Sequence, residues 1–160
     1  MSTQRPGELE QRLDAGGMRI ALVVARFNPE LCERLLQGAL ACLEEHGARQ
    51  QDLRVIRVPG SFEIPLMARK LAESGDHDAV VCLGVLVRGE TIHYELIARE
   101  VCAGIARAAA DSGVAITLGV LTTENHQQAE ERAGGKRGNR GADAARAAIE
   151  MVQQIRRLDA

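Results

Sequence analysis

The chain has 160 residues, 46% of them hydrophobic and 26% charged, with a net charge of −2 and a pI of about 6.1. That length suits one domain with a real core, and the charge balance excludes a global basic field that draws a protein to nucleic acid. Aromatics are only 2%, too few to stack along a single strand, and no apolar run reaches the length of a membrane span.

Residues 1–17 are polar, lack the apolar core of a secretory signal, and read as a flexible arm before a single domain over 18–160. Residues 19–25 (RIALVVA) form the first expected strand. Pro29 then sits at a first helical position. Leu31, Leu35, Ala39, Cys42 and His46 follow at helical spacing until Gly47 stops the helix. Residues 53–58 are the second strand. Pro59-Gly60-Ser61 is a turn, with Ser61 as the expected N-cap of a helix running to about residue 74. Residues 78–87 are an apolar run of the kind buried on both faces of a sheet. A helix over 93–112 follows, then a fourth strand at 114–121. Thr122 to Asn125 lead into a short helix ending near Ala133. A flexible basic loop, 134–141, precedes a last helix over 142–157. The order strand-helix, repeated four times, predicts an α/β domain: a single four-stranded parallel sheet with helices on both faces.

The candidate functional residues all fall just after strands: Phe27, Ser61, Glu63, Glu90, Thr91, His93, Thr122 and Glu124. In open α/β sheets the carboxyl ends of the strands are where ligands bind. Gly84-Val-Leu-Val-Arg-Gly-Glu-Thr-Ile-His93 is the most informative stretch. Gly89 permits a turn, the helix start beyond it leaves backbone amides free for an anion, and His93 supplies an imidazole, the side chain most often used as a general acid/base. A phosphorylated small molecule is the substrate class these features fit. Each residue also has a structural reading. His93 can simply bond backbone, Phe27 can staple the following helix, Phe62 can pack, Ser61 and Glu63 can cap, and Arg132 can be solvated.

Other chemistries lack their motifs. The loop 134–141 is not a phosphate-binding Walker loop, because Lys136 is followed by Arg137. The first strand-to-helix turn carries no dinucleotide fingerprint. His46, His77 and His126 show no metal-ligand spacing, so neither metal nor cofactor is expected. The four cysteines, Cys32, Cys42, Cys82 and Cys102, include no Cys-x-x-Cys pair. They read mainly as core thiols of a reduced, cytoplasmic protein.

Five segments occur together and in order: Arg26-Phe27-Asn28; Pro59 to Pro65 (PGSFEIP); Gly84 to Tyr94; Leu121 to Asn125 (LTTEN); and Gln128 to Gly141 (QAEERAGGKRGNRG). In that order and spacing the chain resembles the lumazine synthase family from about Met18 onward. The resemblance implies a flavodoxin-like three-layer sandwich. It also implies condensation of 5-amino-6-(D-ribitylamino)uracil with 3,4-dihydroxy-2-butanone 4-phosphate, without cofactor or metal. On that resemblance, Phe27 stacks on the pyrimidine, Ser61-Phe62-Glu63 hold the ribityl chain, and Val85-Leu86-Val87 present backbone groups to the pyrimidine edge. Gly89, Glu90, Thr91 and Arg132 bind the phosphate, and His93 transfers protons.

Family members form pentamers with sites between adjacent subunits, and many stack twelve pentamers into a shell. The small residues of the third helix (Val101, Cys102, Ala103, Gly104, Ile105, Ala108, Ala109) fit a ring lining or, equally, a sheet-facing surface. Two positions depart from the pattern. Leu118 replaces an aromatic that covers the pyrimidine from the neighbouring subunit, and Arg140 replaces a lysine beside the substrate. The alternatives are the related archaeal riboflavin synthase, a ligand-binding shell protein without turnover and, last, a nucleic-acid contact through the basic loop.

Overall fold

The computed structural model describes residues 12–160; of the arm expected over 1–17, residues 1–11 lie outside this range. Four parallel strands, β1 (Ile20–Ala25), β2 (Leu53–Val58), β3 (Ala79–Val87) and β4 (Ala115–Thr123), form one sheet in the order β2-β1-β3-β4. Composition explains the order. All six residues of β1 are buried, as are the first seven of β3, so these wholly apolar runs take the middle. The edge strands are less covered: in β2 only Val58 is buried, and β4 mixes buried with half-buried and exposed positions.

The helices are α1 (Pro29–Glu45), α2 (Ile64–Glu73), α3 (His93–Ser112), α4 (His126–Arg132) and α5 (Arg140–Asp159). α1 packs with α5 and α2 with α3, on opposite faces of the sheet. Neighbouring residues make the two-sidedness explicit. A β-carbon on Gly84 would meet Ser61 and Ile64 of the α2 side, whereas one on Gly119 would meet Leu83 and Ala144 of the α5 side. On α1, Leu31, Leu35, Ala39 and Cys42 repeat at three to four residues and are all buried. Deleting a side chain as enclosed as Leu35 costs about 2–5 kcal/mol in comparable cores.

Several boundaries differ from the sequence reading. Residues 12–17 already dock on the body. Ala15 is buried and its amide donates to His46 O at 2.7 Å, and Gln153 Nε2 donates to Arg12 O at 3.1 Å. Strand β4 runs on through Thr123, because Leu86 and Val87 continue the pairing opposite Thr122 and Thr123. The loop 134–141 is not open. It contains a small antiparallel hairpin, β5 (Ala133–Gly135) with β6 (Gly138–Asn139), and α5 starts at Arg140 rather than 142. Asn139 pins it twice, accepting from Ala142 N at 3.1 Å and donating to Arg34 O at 3.0 Å.

Ser61 is not a helix cap. Residues Ser61–Glu63 form a single 3-10 turn, and Glu63 reaches back to accept from Gly60 N at 3.0 Å. On α3, Val101, Ile105 and Ala108 are buried and face the core, while Ala103 is exposed.

Candidate active site

The strand order reverses direction between β1 and β3, so the connections leaving their carboxyl ends diverge to opposite sides and leave a crevice. A cleft of about 480 Å³ opens there. Its walls are the loops after β1 (Phe27, Asn28), after β2 (Pro59 to Glu63) and after β3 (Gly89, Thr91), with Val85, Leu86 and Val87 as floor and His93, Tyr94 and Ile97 of α3 as the far side. Ten of the residues singled out in the sequence meet in it: Phe27, Ser61, Phe62, Glu63, Val85, Leu86, Val87, Gly89, Thr91 and His93.

The phenylalanines are the clearest departure from ordinary packing. Phe27 is 71% exposed and Phe62 is 62% exposed. Neither ring is stapled to a helix or sunk in the core. An exposed ring on a cleft wall is able to stack on a flat heterocycle. Ser61 is different: it is buried against Gly84, whose lack of a side chain makes room for the Ser61 hydroxyl.

The loop between β3 and α3 has the features of an anion site. Among the described residues the amides of Gly89, Glu90, Thr91 and Ile92 meet no protein acceptor, and α3 has no side-chain N-cap. Thr91 Oγ1 accepts from His93 N at 3.4 Å. The side chain of His93, the first residue of α3, is exposed, so the loop amides and an imidazole lie within one turn of each other.

Six candidates lie outside this cleft. Glu90 is exposed on the loop. Leu118 is 50% exposed in the middle of edge strand β4. Arg132 ends α4, donating from Nη1 to Gln128 O at 3.1 Å. Arg140 opens α5 and pairs with Asp143 at 2.9 Å. Glu124 is held by Arg88 at 2.8 Å, and Thr122 is exposed on β4.

Asn28 is not singled out by the sequence reading, although it lines the cleft. It has φ 60° and ψ 60°, the only described non-glycine residue with positive φ. Its Nδ2 donates to Val85 O at 2.9 Å. A signal for it exists: an Asn before a Pro at a strand end is the residue type that tolerates this conformation.

Burial suppresses the thiol nearest the cleft. Cys32 Sγ lies 3.3 Å from Phe27 O, and desolvation pushes its pKa up to about 11. It is therefore a neutral packing group rather than a nucleophile. Among the described residues no three His, Cys, Asp or Glu side chains gather as a metal set.

Comparison with known proteins shows the family. Residues 17–156 match the family model described as 6,7-dimethyl-8-ribityllumazine synthase. Proteins of that name from Syntrophus aciditrophicus (strain SB) and Chlorobium chlorochromatii (strain CaD3) are 52% and 49% identical to this chain. The first aligns over 96% of this chain and 99% of its own length, the second over 94% and 97%. A third, from Chlorobium phaeobacteroides (strain DSM 266 / SMG 266 / 2430), is 50% identical over 94% of this chain and 97% of its own. With its α/β sheet, its cleft at the strand ends and this full-length likeness, the chain belongs to the 6,7-dimethyl-8-ribityllumazine synthase family, transferases of riboflavin biosynthesis.

Proposed function

We propose that the cleft joins 5-amino-6-(D-ribitylamino)uracil to 3,4-dihydroxy-2-butanone 4-phosphate, releasing 6,7-dimethyl-8-ribityllumazine, phosphate and water. The observation that carries this is one cleft whose lining brings together two exposed phenylalanines, free loop amides and an imidazole. A flat, polyol-bearing heterocycle and a small phosphate ester need those groups in one site.

The roles follow from position. Phe27 stacks on the pyrimidine, and the Val85 to Val87 backbone meets its polar edge. Ser61, Phe62 and Glu63 take the ribityl chain. Gly89, Glu90 and Thr91 offer loop amides to the phosphate. The primary amine of the pyrimidine attacks the ketone and an imine forms with loss of water. Phosphate leaves by elimination, the resulting enol tautomerises to a ketone, and the ribitylamino nitrogen attacks that carbonyl and closes the ring with loss of a second water. Both reactants are already reactive, so holding them together supplies much of the acceleration. His93 moves the protons.

Leu118, Arg132 and Arg140 lie away from the cleft of their own chain. We assign them to the cleft of an adjacent subunit, in a ring of five. A closed ring requires a head-to-tail interface that pairs two different faces, as cleft and β4–α4 face are. The short turn between β5 and β6 carries no insertion, which favours twelve pentamers in a shell. The setting is cytoplasmic: all four cysteines are free and three are buried. Among the described residues no helix is long and apolar enough to cross a membrane, and neither membrane nor nucleic acid enters the reading.

The test is to mix the protein with both substrates and follow lumazine and phosphate together. Equal release of the two is expected. Product formed without the phosphorylated substrate would instead indicate dismutation of lumazine, and ligand binding without product would indicate a shell or binding protein. Light scattering then gives the assembly, at five or sixty times the 17.3 kDa chain.

A further inference from the structure

Arg88 lies in sequence between two segments that line the cleft. It follows the Val85 to Val87 floor and precedes the Gly89 to Thr91 loop. Its amide donates to Thr123 O at 2.8 Å, extending the β3–β4 ladder by one residue. Its side chain then turns back across the loop. Nη1 reaches Glu95 Oε1 at 2.8 Å, Nε reaches Glu124 Oε2 at 2.8 Å, and the guanidinium carbon lies 5.2 Å from the centre of the Tyr94 ring. One planar group therefore ties the end of β3 to the first turn of α3 and to the connection after β4.

That loop has few other restraints. Gly89 has open space where a β-carbon would be, α3 has no side-chain cap, and within the loop Thr91 bonds only at 3.4 Å. The Arg88 fork spans the loop from before Gly89 to beyond His93.

We propose that Arg88 is a positioning residue. Gripping Glu95, Glu124 and the Tyr94 ring, it fixes the loop amides and His93 against the phosphorylated substrate without touching that substrate. This rests on the functional reading above. The physical case lies in the contrast of scales. Exposed ion pairs contribute about 0–1 kcal/mol each and an exposed cation–π contact a similar amount, too little to decide whether the domain folds. A displacement of about 1 Å in a reacting group can cost on the order of 100-fold in rate. Arg88 should therefore show itself in kinetics and not in stability. Lysine supplies one point charge and cannot bridge two carboxylates in a plane.

The experiment compares Arg88→Ala and Arg88→Lys with wild type and with Arg69→Ala. Arg69 is an exposed arginine that also bridges two carboxylates, Glu73 at 2.8 Å and Asp111 at 3.4 Å, away from the cleft. Expected for Arg88→Ala is a fall of about tenfold or more in kcat/KM for the butanone phosphate, and a similar weakening of inorganic phosphate binding by calorimetry. Its KM for the pyrimidine should stay within about twofold and its thermal midpoint near wild type, since the ion pairs that alanine removes lie on the surface. Arg88→Lys recovers part of the loss, and Arg69→Ala behaves as wild type.

Unchanged kinetics and phosphate affinity in Arg88→Ala would overturn the proposal. So would an equal loss toward both substrates accompanied by a lowered midpoint, which marks a merely structural arginine. Wild type that yields no lumazine defeats the functional reading instead. The phosphate calorimetry still decides the role of Arg88 in that case.

Discussion

Asn28 and Val85 join the ends of β1 and β3 through one hydrogen bond, Nδ2 to carbonyl at 2.9 Å, and the backbone of Asn28 is left-handed to make it. This turn carries Phe27 out of the sheet and into the cleft. Asn28→Gly keeps the conformation and loses the bond, at about 1 kcal/mol. Asn28→Ala loses the bond and keeps a β-carbon in the left-handed region without the polar side chain that lets Asn tolerate it, costing roughly 1–2 kcal/mol more than Gly. Denaturant melts should rank the Gly variant above the Ala variant. Affinity for the pyrimidine should fall in both, because both release the Val85 carbonyl. Equal stability of the Gly and Ala variants would mean the turn relaxes and stores no strain.

His93 and Arg132 belong, on the functional reading, to one site built by two chains. His93→Ala should lower turnover by about 10²–10⁴-fold and leave measurable activity, since positioning survives. Arg132→Ala should chiefly raise KM for the butanone phosphate. When the two variants are unfolded together and refolded as mixed rings, some clefts regain both groups. Activity above either parent is expected at equal total protein. Mixed rings no better than the parents would place both residues in the same chain's site.

Much of this fold is legible in the sequence because burial leaves a period there. The apolar runs of β1 and β3 and the stripe Leu31, Leu35, Ala39, Cys42 announce themselves. What escapes reading depends on contacts between distant residues. Thr122 and Thr123 look like a loop, yet Leu86 and Val87 draw them into β4. Ser61 looks like a cap, yet the missing side chain of Gly84 gives it a buried seat. The hairpin after α4 looks open, yet Asn139 fastens it to α1. The cleft residues are legible as a group because strand ends collect them. Asn28 escapes because its role lies in a backbone angle.

Burial of thiols makes stability fall in alkali. Desolvation raises Cys82 from the ordinary 9.0 to about 12 and Cys32 from 9.0 to about 11. Below pH 9.0 both states hold these protons and the contribution is fully present. Above it the unfolded chain releases protons that the folded chain keeps, so stability declines as pH climbs toward about 11. Cys82→Ala should flatten the fall in unfolding free energy between pH 9 and 11 relative to wild type, whatever its cost at neutral pH. Parallel slopes in the two proteins would show that Cys82 ionises freely in the fold.

Leu118 tests the intersubunit site from the other side. It is half exposed on an edge strand, so exchanging it for phenylalanine should barely alter stability, surface changes usually falling within about 0.5 kcal/mol. On the functional reading, the same position in the proposed ring faces the pyrimidine of the neighbouring cleft, opposite Phe27. An aromatic contact there is worth about 0.5–1.5 kcal/mol beyond its area. Leu118→Phe should therefore lower KM for the pyrimidine by roughly two- to tenfold, with KM for the butanone phosphate unchanged. Leu118→Ala should raise it, because the remaining apolar cover is lost. If neither substitution moves the pyrimidine KM while rings form normally, Leu118 does not reach a cleft and the second face of the pyrimidine is covered by something else.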